Sequence, residues 1–490
     1  MHKPLVNIAH LNLSYRQKVI LDDLNWTINA GENWLLTGES GSGKTSLVKL
    51  IAGPPLTQLQ FNFDESSNLP PRSFYVENWY QFKNLEGVAN FYYQQRYTSV
   101  QAKDTHTVQT ELNTFGAANQ LDFEQVAPLL KSLGFEKLKN ATLIELSSGE
   151  HKKLQLVKAL WLKPQLLILD EPYTGLDVSS RLNLNGRLDS IVASGVQLIL
   201  ISNEEELPRA INRFATLSNG KLTVTPARIP TSAVAEKTPK ILPNFLKERP
   251  KYTSTNLITM NNVKVSYGEK VVLNHINWTV NPGEKWLLQG HNGSGKSTLL
   301  SLVNGDHPQA YANDIHLFGN KRGSGESIWD IKKHIGLISP ELHWYFDQDA
   351  TVWQSIASGF EDSIGLFSTL VEGKRRMVNE LISFFSLEDY TNELLNSLPL
   401  GKQRLVLLAR TIIKIPELLI LDEPCQGLDR QQTQHFNELI DELCGYGMTL
   451  IYVAHHEDQL PKCINNRLVL QQGEVLTNTK IYQPQKEFIS

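Results

Sequence analysis

At 490 residues, with 41% hydrophobic and 20% charged side chains, the chain has room for roughly two to four domains with full cores and lies outside the disordered and membrane-embedded classes of composition. A net charge of −4 and a pI near 6.4, with the basic residues scattered, exclude a global attraction to polyanions, so no DNA or RNA partner is expected. Three cysteines without metal-ligand spacing, no secretory leader and no apolar run near the ~18 residues of a membrane span point to reduced thiols in a cytoplasmic protein, with any membrane role arriving through a partner.

The chain opens with two strand-like runs, residues 5–15 and 19–29, that predict a small antiparallel sheet. A short apolar strand, Trp34–Thr37, then runs into Gly38, Glu39, Ser40, Gly41, Ser42, Gly43, Lys44 and Thr45, and residues 46–52 have helical composition. From about 78 to 143 the polar, aromatic-rich chain has helical period and predicts an insert of helices. A helix opens around Ser147, Gly149 and Glu150 and runs through Leu162, and the unbroken apolar run 166–169 predicts a buried parallel strand ending in Asp170 and Glu171. Residues 196–201 form the next buried strand and lead to Asn203.

Between 222 and 256 five prolines break all periodicity, which predicts a linker between a first domain, 1–221, and a second, 257–477, with a polar tail at 478–490. The second domain repeats the first. Lys44 recurs as Lys296, a step of 252 residues, and the same step joins Tyr15 to Tyr267, Trp26 to Trp278, Asp170 to Asp422 and Asp177 to Asp429. The second loop reads Gly290, His291, Asn292, Gly293, Ser294, Gly295, Lys296 and Ser297. Its strands are expected at 257–267, 271–280, 418–421 and 449–454, the last leading to His455.

Both loops have the spacing of a phosphate cradle, in which glycines let the backbone wrap an anion, the lysine supplies a cation for the phosphates, and the terminal hydroxyl ligates Mg²⁺. Mg²⁺ bound to ATP also calls for a carboxylate, so Thr45 with Asp170 and Ser297 with Asp422 are the expected metal pairs. Glu171 and Glu423, next to those acids, are placed to orient or deprotonate an attacking water.

The order of phosphate loop, helical insert, Leu-Ser-Ser-Gly-Glu, Leu-Leu-Ile-Leu-Asp-Glu-Pro, Gly-Leu-Asp and a residue after a late strand resembles the ATP-binding cassette ATPases, twice over and across nearly the whole chain. That resemblance implies an α/β fold of two tandem P-loop nucleotide-binding domains, each with a mixed sheet core, a small antiparallel β subdomain and a helical insert. It implies ATP hydrolysis, with ATP and Mg²⁺ as cofactors. It further implies head-to-tail pairing, in which each ATP lies between one copy's phosphate loop and the other's signature. In that family Tyr15 and Tyr267 match the aromatic that stacks on adenine, Ser147 and Gly149 belong to the signature that contacts the γ-phosphate, and His455 is the switch residue.

The family's roles fall unequally on the two copies. The second signature reads Leu398, Pro399, Leu400, Gly401 and Lys402, and Pro399 has neither hydroxyl nor N–H for a phosphate. The switch histidine is present as His455 and replaced by Asn203 in the first copy. Under head-to-tail pairing the losses collect in one site, leaving Gly290–Ser297, Asp422, Glu423 and His455 with the intact signature of the first copy as the expected hydrolytic site. The family's glutamine that links the insert to Mg²⁺ has no match; Glu77 and Glu341 are the candidates in its place.

A narrower resemblance, carried by residues 301–336, is to tandem cassettes associated with molybdenum transport, which implies an unlinked membrane permease as partner and a place at the inner face of the plasma membrane. A ribosome-associated factor is disfavoured by the short, proline-broken linker, and a soluble regulatory or repair ATPase stays open as the alternative.

Overall fold

Strand, phosphate loop and helix follow one another twice in the computed structural model, which describes residues 4–15, 18–39, 41–53, 59–62, 72–77, 105–146, 148–173, 176, 178–204, 206–227, 242–247, 252, 254–268, 270–339, 346, 349–363, 366, 369–454 and 460–481. Ser40, Ser147, Asp177, Glu341 and His455 lie outside the described residues, as do 78–104 of the expected insert, most of the linker and the tail beyond 481. The chain divides into two compact units, Met1–Ala233 and Val234–Ser490.

In the first unit, β1 (Val6–Tyr15) and β2 (Lys18–Ile28) pair antiparallel, and β4 (Leu59–Asn62) joins the far edge of β1. The main sheet has the order β5-β6-β7-β3-β8-β9, built from β3 (Trp34–Thr37), β5 (Ser73–Val76), β6 (Leu166–Asp170), β7 (Gln197–Ile201), β8 (Arg213–Ser218) and β9 (Lys221–Thr225). All neighbours are parallel except β8 and β9. The apolar run of β6 is explained by its two covered faces: Leu166 and Ile168 pack into one core with Trp34 and Leu36, whereas Leu167 and Leu169 pack into another with Leu35 and Leu200.

The second unit rebuilds this plan with β10 (Ile258–Tyr267), β11 (Lys270–Val280), β12 (Lys285–Gln289), β13 (Asp314–Leu317), β14 (Asn320–Lys321), β15 (Ile335–Ile338), β16 (Leu418–Asp422), β17 (Thr449–Val453), β18 (Asn466–Gln471) and β19 (Glu474–Lys480). Its main sheet runs β15-β16-β17-β12-β18-β19. Register repeats as well as order: Trp34 faces Ile199 across β3 and β7, and Trp286 faces Ile451 across β12 and β17. The step grows to 253 at the next strand, where Arg213 opposite Trp34 becomes Asn466 opposite Trp286.

Two differences from the sequence reading concern sheet edges. β9 carries the first unit through Thr225, beyond residue 221, and β19 continues through Lys480, beyond residue 477, because each closes a hairpin on the strand before it. Within the expected linker, Leu242 and, on the short helix Asn244–Lys247, Leu246 are buried in the second unit's core. The helix after the first phosphate loop begins at Lys44, two residues ahead of the expected start.

Candidate functional site

Both phosphate loops connect a buried strand to a helix N-terminus, the arrangement that presents backbone N–H groups and the positive end of the helix dipole to an anion. Gly43 and Gly295 cap the helices Lys44–Ala52 and Lys296–Val303 with φ of 100° and 103°, a left-handed conformation that disfavours any side chain. At Gly38 and Gly290 a Cβ would come within 2.2 Å of the Leu217 carbonyl oxygen and 2.4 Å of the Leu470 carbonyl oxygen. These loops therefore demand glycine on steric grounds.

Lys44 Nζ donates to the carbonyls of Gly38 and Glu39, both at 2.7 Å, and Lys296 Nζ donates to those of Gly290 and His291 at 2.6 and 3.2 Å. The ammonium groups thus sit inside the curl of their own loops, with Glu39, Gly41, His291, Asn292 and Gly293 exposed around them. Ser42 Oγ and Ser294 Oγ are buried with no hydrogen-bond partner among the described residues, which fits a cradle built for an added acceptor such as phosphate.

The acidic strand ends lie where such sheets bind ligands. Thr45 Oγ1 donates to Asp170 Oδ2 at 2.7 Å, so the sequence-expected metal pair of the first copy is brought together. Thr45 and Ser297 are both exposed, while Asp170 is buried and Asp422 half-buried. A hydroxyl beside a carboxylate is a hard oxygen donor set that suits Mg²⁺.

Glu171 and Glu423 share a constrained backbone. Their φ values are 44° and 48°, and their N–H groups donate to the carbonyls of Ile201 and Val453 at 3.0 and 3.2 Å. A left-handed non-glycine residue costs roughly 1–3 kcal/mol, and both copies hold their glutamate in that conformation. Desolvation, reinforced by Asp170 and opposed by Lys44 and Lys152, pushes the Glu171 carboxyl up to about 8. A divalent cation beside Asp170 would oppose that shift.

Several positioning contacts escaped the sequence reading. Gln426 Nε2 donates to Glu423 Oε2 at 3.0 Å, fixing the second copy's glutamate. Lys152 is buried and donates to the Glu77 carbonyl at 2.6 Å, and burial lowers its ammonium to about 7 against the pull of Asp170, Glu171 and Glu77. The Glu77 carboxylate pairs with Lys49 at 3.6 Å. Tyr267 is 45% exposed and its hydroxyl lies 2.7 Å from Nε2 of buried His307. Because Gln309 N–H donates to His307 Nδ1 at 3.2 Å, Nε2 carries the ring proton and donates to Tyr267. No motif in the sequence marks Gln426, Lys152 or His307. Of Tyr15 the backbone alone is described.

The signature helices differ as their first residues require. The helix Ser148–Leu162 starts one residue after Ser147, with Gly149 and Glu150 in its first turn. The helix Leu400–Ile412 is capped by Pro399 with no side-chain hydrogen bond, and Lys402 stands in its first turn, where a cation opposes the helix dipole.

Comparison with known proteins agrees with this construction. The family model described as ABC transporter matches residues 21–174 and again 273–426. The chain is 37% identical over 460 residues to the ABC transporter ATP-binding protein ModF of Escherichia coli, covering 90% of this chain and 92% of that one. It is 30% identical over 470 residues to the uncharacterized ABC transporter ATP-binding protein C323.04 of Schizosaccharomyces pombe, covering 93% and 96%. Among the described residues no helix is long and apolar enough to cross a membrane. Two matched cassettes, two glycine-walled phosphate loops and two acidic strand ends make this chain a member of the ABC transporter family, a tandem-cassette ATP-binding protein and an ATPase.

Proposed function

We propose that the two cassettes divide labour: the site built on the second phosphate loop hydrolyses ATP, and the site built on the first mainly holds it. The observation that carries this reading is Pro399 at the start of the helix Leu400–Ile412. A γ-phosphate at a signature is held by the N-terminal N–H groups and a hydroxyl of that helix, and proline supplies neither. In a head-to-tail pair the Pro399 signature serves the first loop, and Ser147, Gly149 and Glu150 serve the second. Losing a hydrogen bond to a charged group costs about 1.5–3 kcal/mol, so this lesion with Asn203 in place of a switch histidine slows turnover at the first site by about a hundredfold or more.

In the working site Lys296 and the Gly290–Gly295 backbone bind the phosphates, Ser297 and Asp422 hold Mg²⁺, Glu423 orients the attacking water, His455 contacts the γ-phosphate and Tyr267 stacks on adenine. Mg²⁺, when bound, neutralises phosphate charge. Thr45 and Asp170 hold the ion at the first site. Steady-state ATPase of Glu423→Gln and Glu171→Gln tests the division: the first change abolishes turnover and the second leaves most of it, and equal losses overturn the reading.

Coupling to a separate membrane permease, with cargo of the molybdate type, is the process this ATPase serves in our reading; the names of its relatives as ABC transporter ATP-binding proteins support the transport coupling, and the cargo rests on the resemblance carried by residues 301–336. Co-purification of an integral membrane protein with Glu423→Gln in ATP is the expected result. Sedimentation of that variant with ribosomes favours the non-transport alternative.

A further inference from the structure

The two cassettes differ at a strand position beside the acidic strand end. In the first, Tyr75 of β5 lies opposite Ile168 of β6; in the second, Leu337 of β15 lies opposite Ile420 of β16. Ile168 and Ile420 are repeat equivalents, so Leu337 stands where Tyr75 stands. Tyr75 Oη donates to Asp170 Oδ2 at 2.8 Å, the same oxygen that receives Thr45 Oγ1 at 2.7 Å. Leu337 has no hydroxyl to offer Asp422.

The phenol is delivered by a fixed scaffold. Lys49, on the helix that follows the phosphate loop, places its Nζ 5.6 Å from the Tyr75 ring centroid. Ser73, two residues before Tyr75, donates to the Ala52 carbonyl at 3.0 Å and ties β5 to the end of that helix.

A carboxylate oxygen has two in-plane lone pairs, and the threonine and tyrosine hydroxyls take both on Oδ2. An oxygen so committed has less to give to a divalent ion or to its water shell. We propose that Tyr75 is a positioning residue that, by donating to Asp170 Oδ2, weakens divalent-ion binding at the first cassette. The proposal rests on Thr45 and Asp170 being the ion's ligand pair.

Mn²⁺ binding to the full chain in the presence of ATP, followed by electron paramagnetic resonance, tests it. Lys296→Ala removes nucleotide binding at the second loop, so the remaining signal reports the first. On that background Tyr75→Phe, which keeps the ring beneath Lys49, is expected to tighten Mn²⁺ binding about 3- to 10-fold. Binding of a fluorescent ATP analogue in EDTA is expected to stay unchanged, which separates this effect from general loosening of the cassette. The reciprocal change, Leu337→Tyr on a Lys44→Ala background, is expected to weaken Mn²⁺ by a similar factor. Unchanged or weaker Mn²⁺ binding in Tyr75→Phe, or no effect of Leu337→Tyr, overturns the proposal. Absence of Mn²⁺ binding already in the Lys296→Ala parent overturns instead the ligand-pair assignment beneath it.

Discussion

The amide oxygen of buried Asn185 receives the hydroxyl of Tyr173 at 2.5 Å, and its repeat equivalent Asn437 receives a tyrosine hydroxyl from elsewhere, Tyr452 at 3.0 Å. The equivalent of Tyr173 is Cys425 and the equivalent of Tyr452 is Leu200. One buried polar requirement is therefore met by a phenol from the turn after β6 in the first cassette and from β17 in the second. Cys425 Sγ fills the vacated corner, 3.4 Å from Tyr452 Oη, and burial pushes its thiol up to about 11.

This exchange predicts a compensated pair. Tyr452→Phe removes the phenol donor to Asn437, leaving the weaker Cys425 thiol at 3.7 Å, and is expected to cost about 1–2 kcal/mol. Tyr452→Leu combined with Cys425→Tyr copies the first cassette and is expected to recover most of that loss in chemical denaturation. Simple addition of the two single-variant losses would refute the exchange.

The contact of Gln426 with Glu423 predicts a kinetic signature. Gln426→Leu removes this hydrogen bond to the glutamate without touching the phosphate loop. ATP turnover is expected to fall about tenfold with KM nearly unchanged, since about 1.4 kcal/mol of lost positioning corresponds to that factor. A rise in KM with kcat preserved would assign Gln426 to nucleotide binding instead.

Pro399 predicts a gain of function. On the Glu423→Gln background, whose turnover the proposed division abolishes, Pro399→Ser supplies a hydroxyl and an N–H at the signature helix. ATPase from the first site is expected to become measurable in a steady-state assay. No rise would count against Pro399 as the limiting lesion.

His151 predicts acid sensitivity of the first cassette. Its Nε2–H donates to the Leu143 carbonyl at 2.9 Å, and burial lowers the imidazole from 6.5 to about 4, partly offset by that bond. Between those values the unfolded chain binds a proton that the folded chain refuses, so stability is full above pH 6.5 and falls as pH drops toward 4, by at most ~3 kcal/mol. His151→Gln copies Gln403, whose amide donates to the Leu398 carbonyl at 2.6 Å. The variant is expected to flatten melting temperature against pH across this window.

The legible parts of the fold were those with strong local signals. Trp34–Thr37 and Leu166–Asp170 stand out as short apolar runs beside a glycine loop or an acidic pair, because parallel strands covered on both faces need no polar alternation. Ser73–Val76 was invisible because four residues carry no period, and it becomes a strand only by pairing with β6. The hairpin of β8 and β9 did announce itself, in Asn219-Gly220 with φ of 48° and 76°, a turn signal that went unread. At the site, the phosphate loops and acids were legible by spacing, whereas Tyr75, Gln426 and His307 matter through contacts made after folding.

Left-handed backbone recurs at the 252-residue step where the side chain is kept, at Glu171 and Glu423, and also where it has changed: His10 and Asn262, Asp23 and His275, Lys163 and Ile415. Even isoleucine, which resists that conformation, is held in it. The main chain has thus been kept while the chemistry hung upon it drifted. On the division of labour proposed above, the first cassette is slowed by replaced side chains on a repeated frame, and the route back to two equal sites is a handful of point changes rather than a refolding.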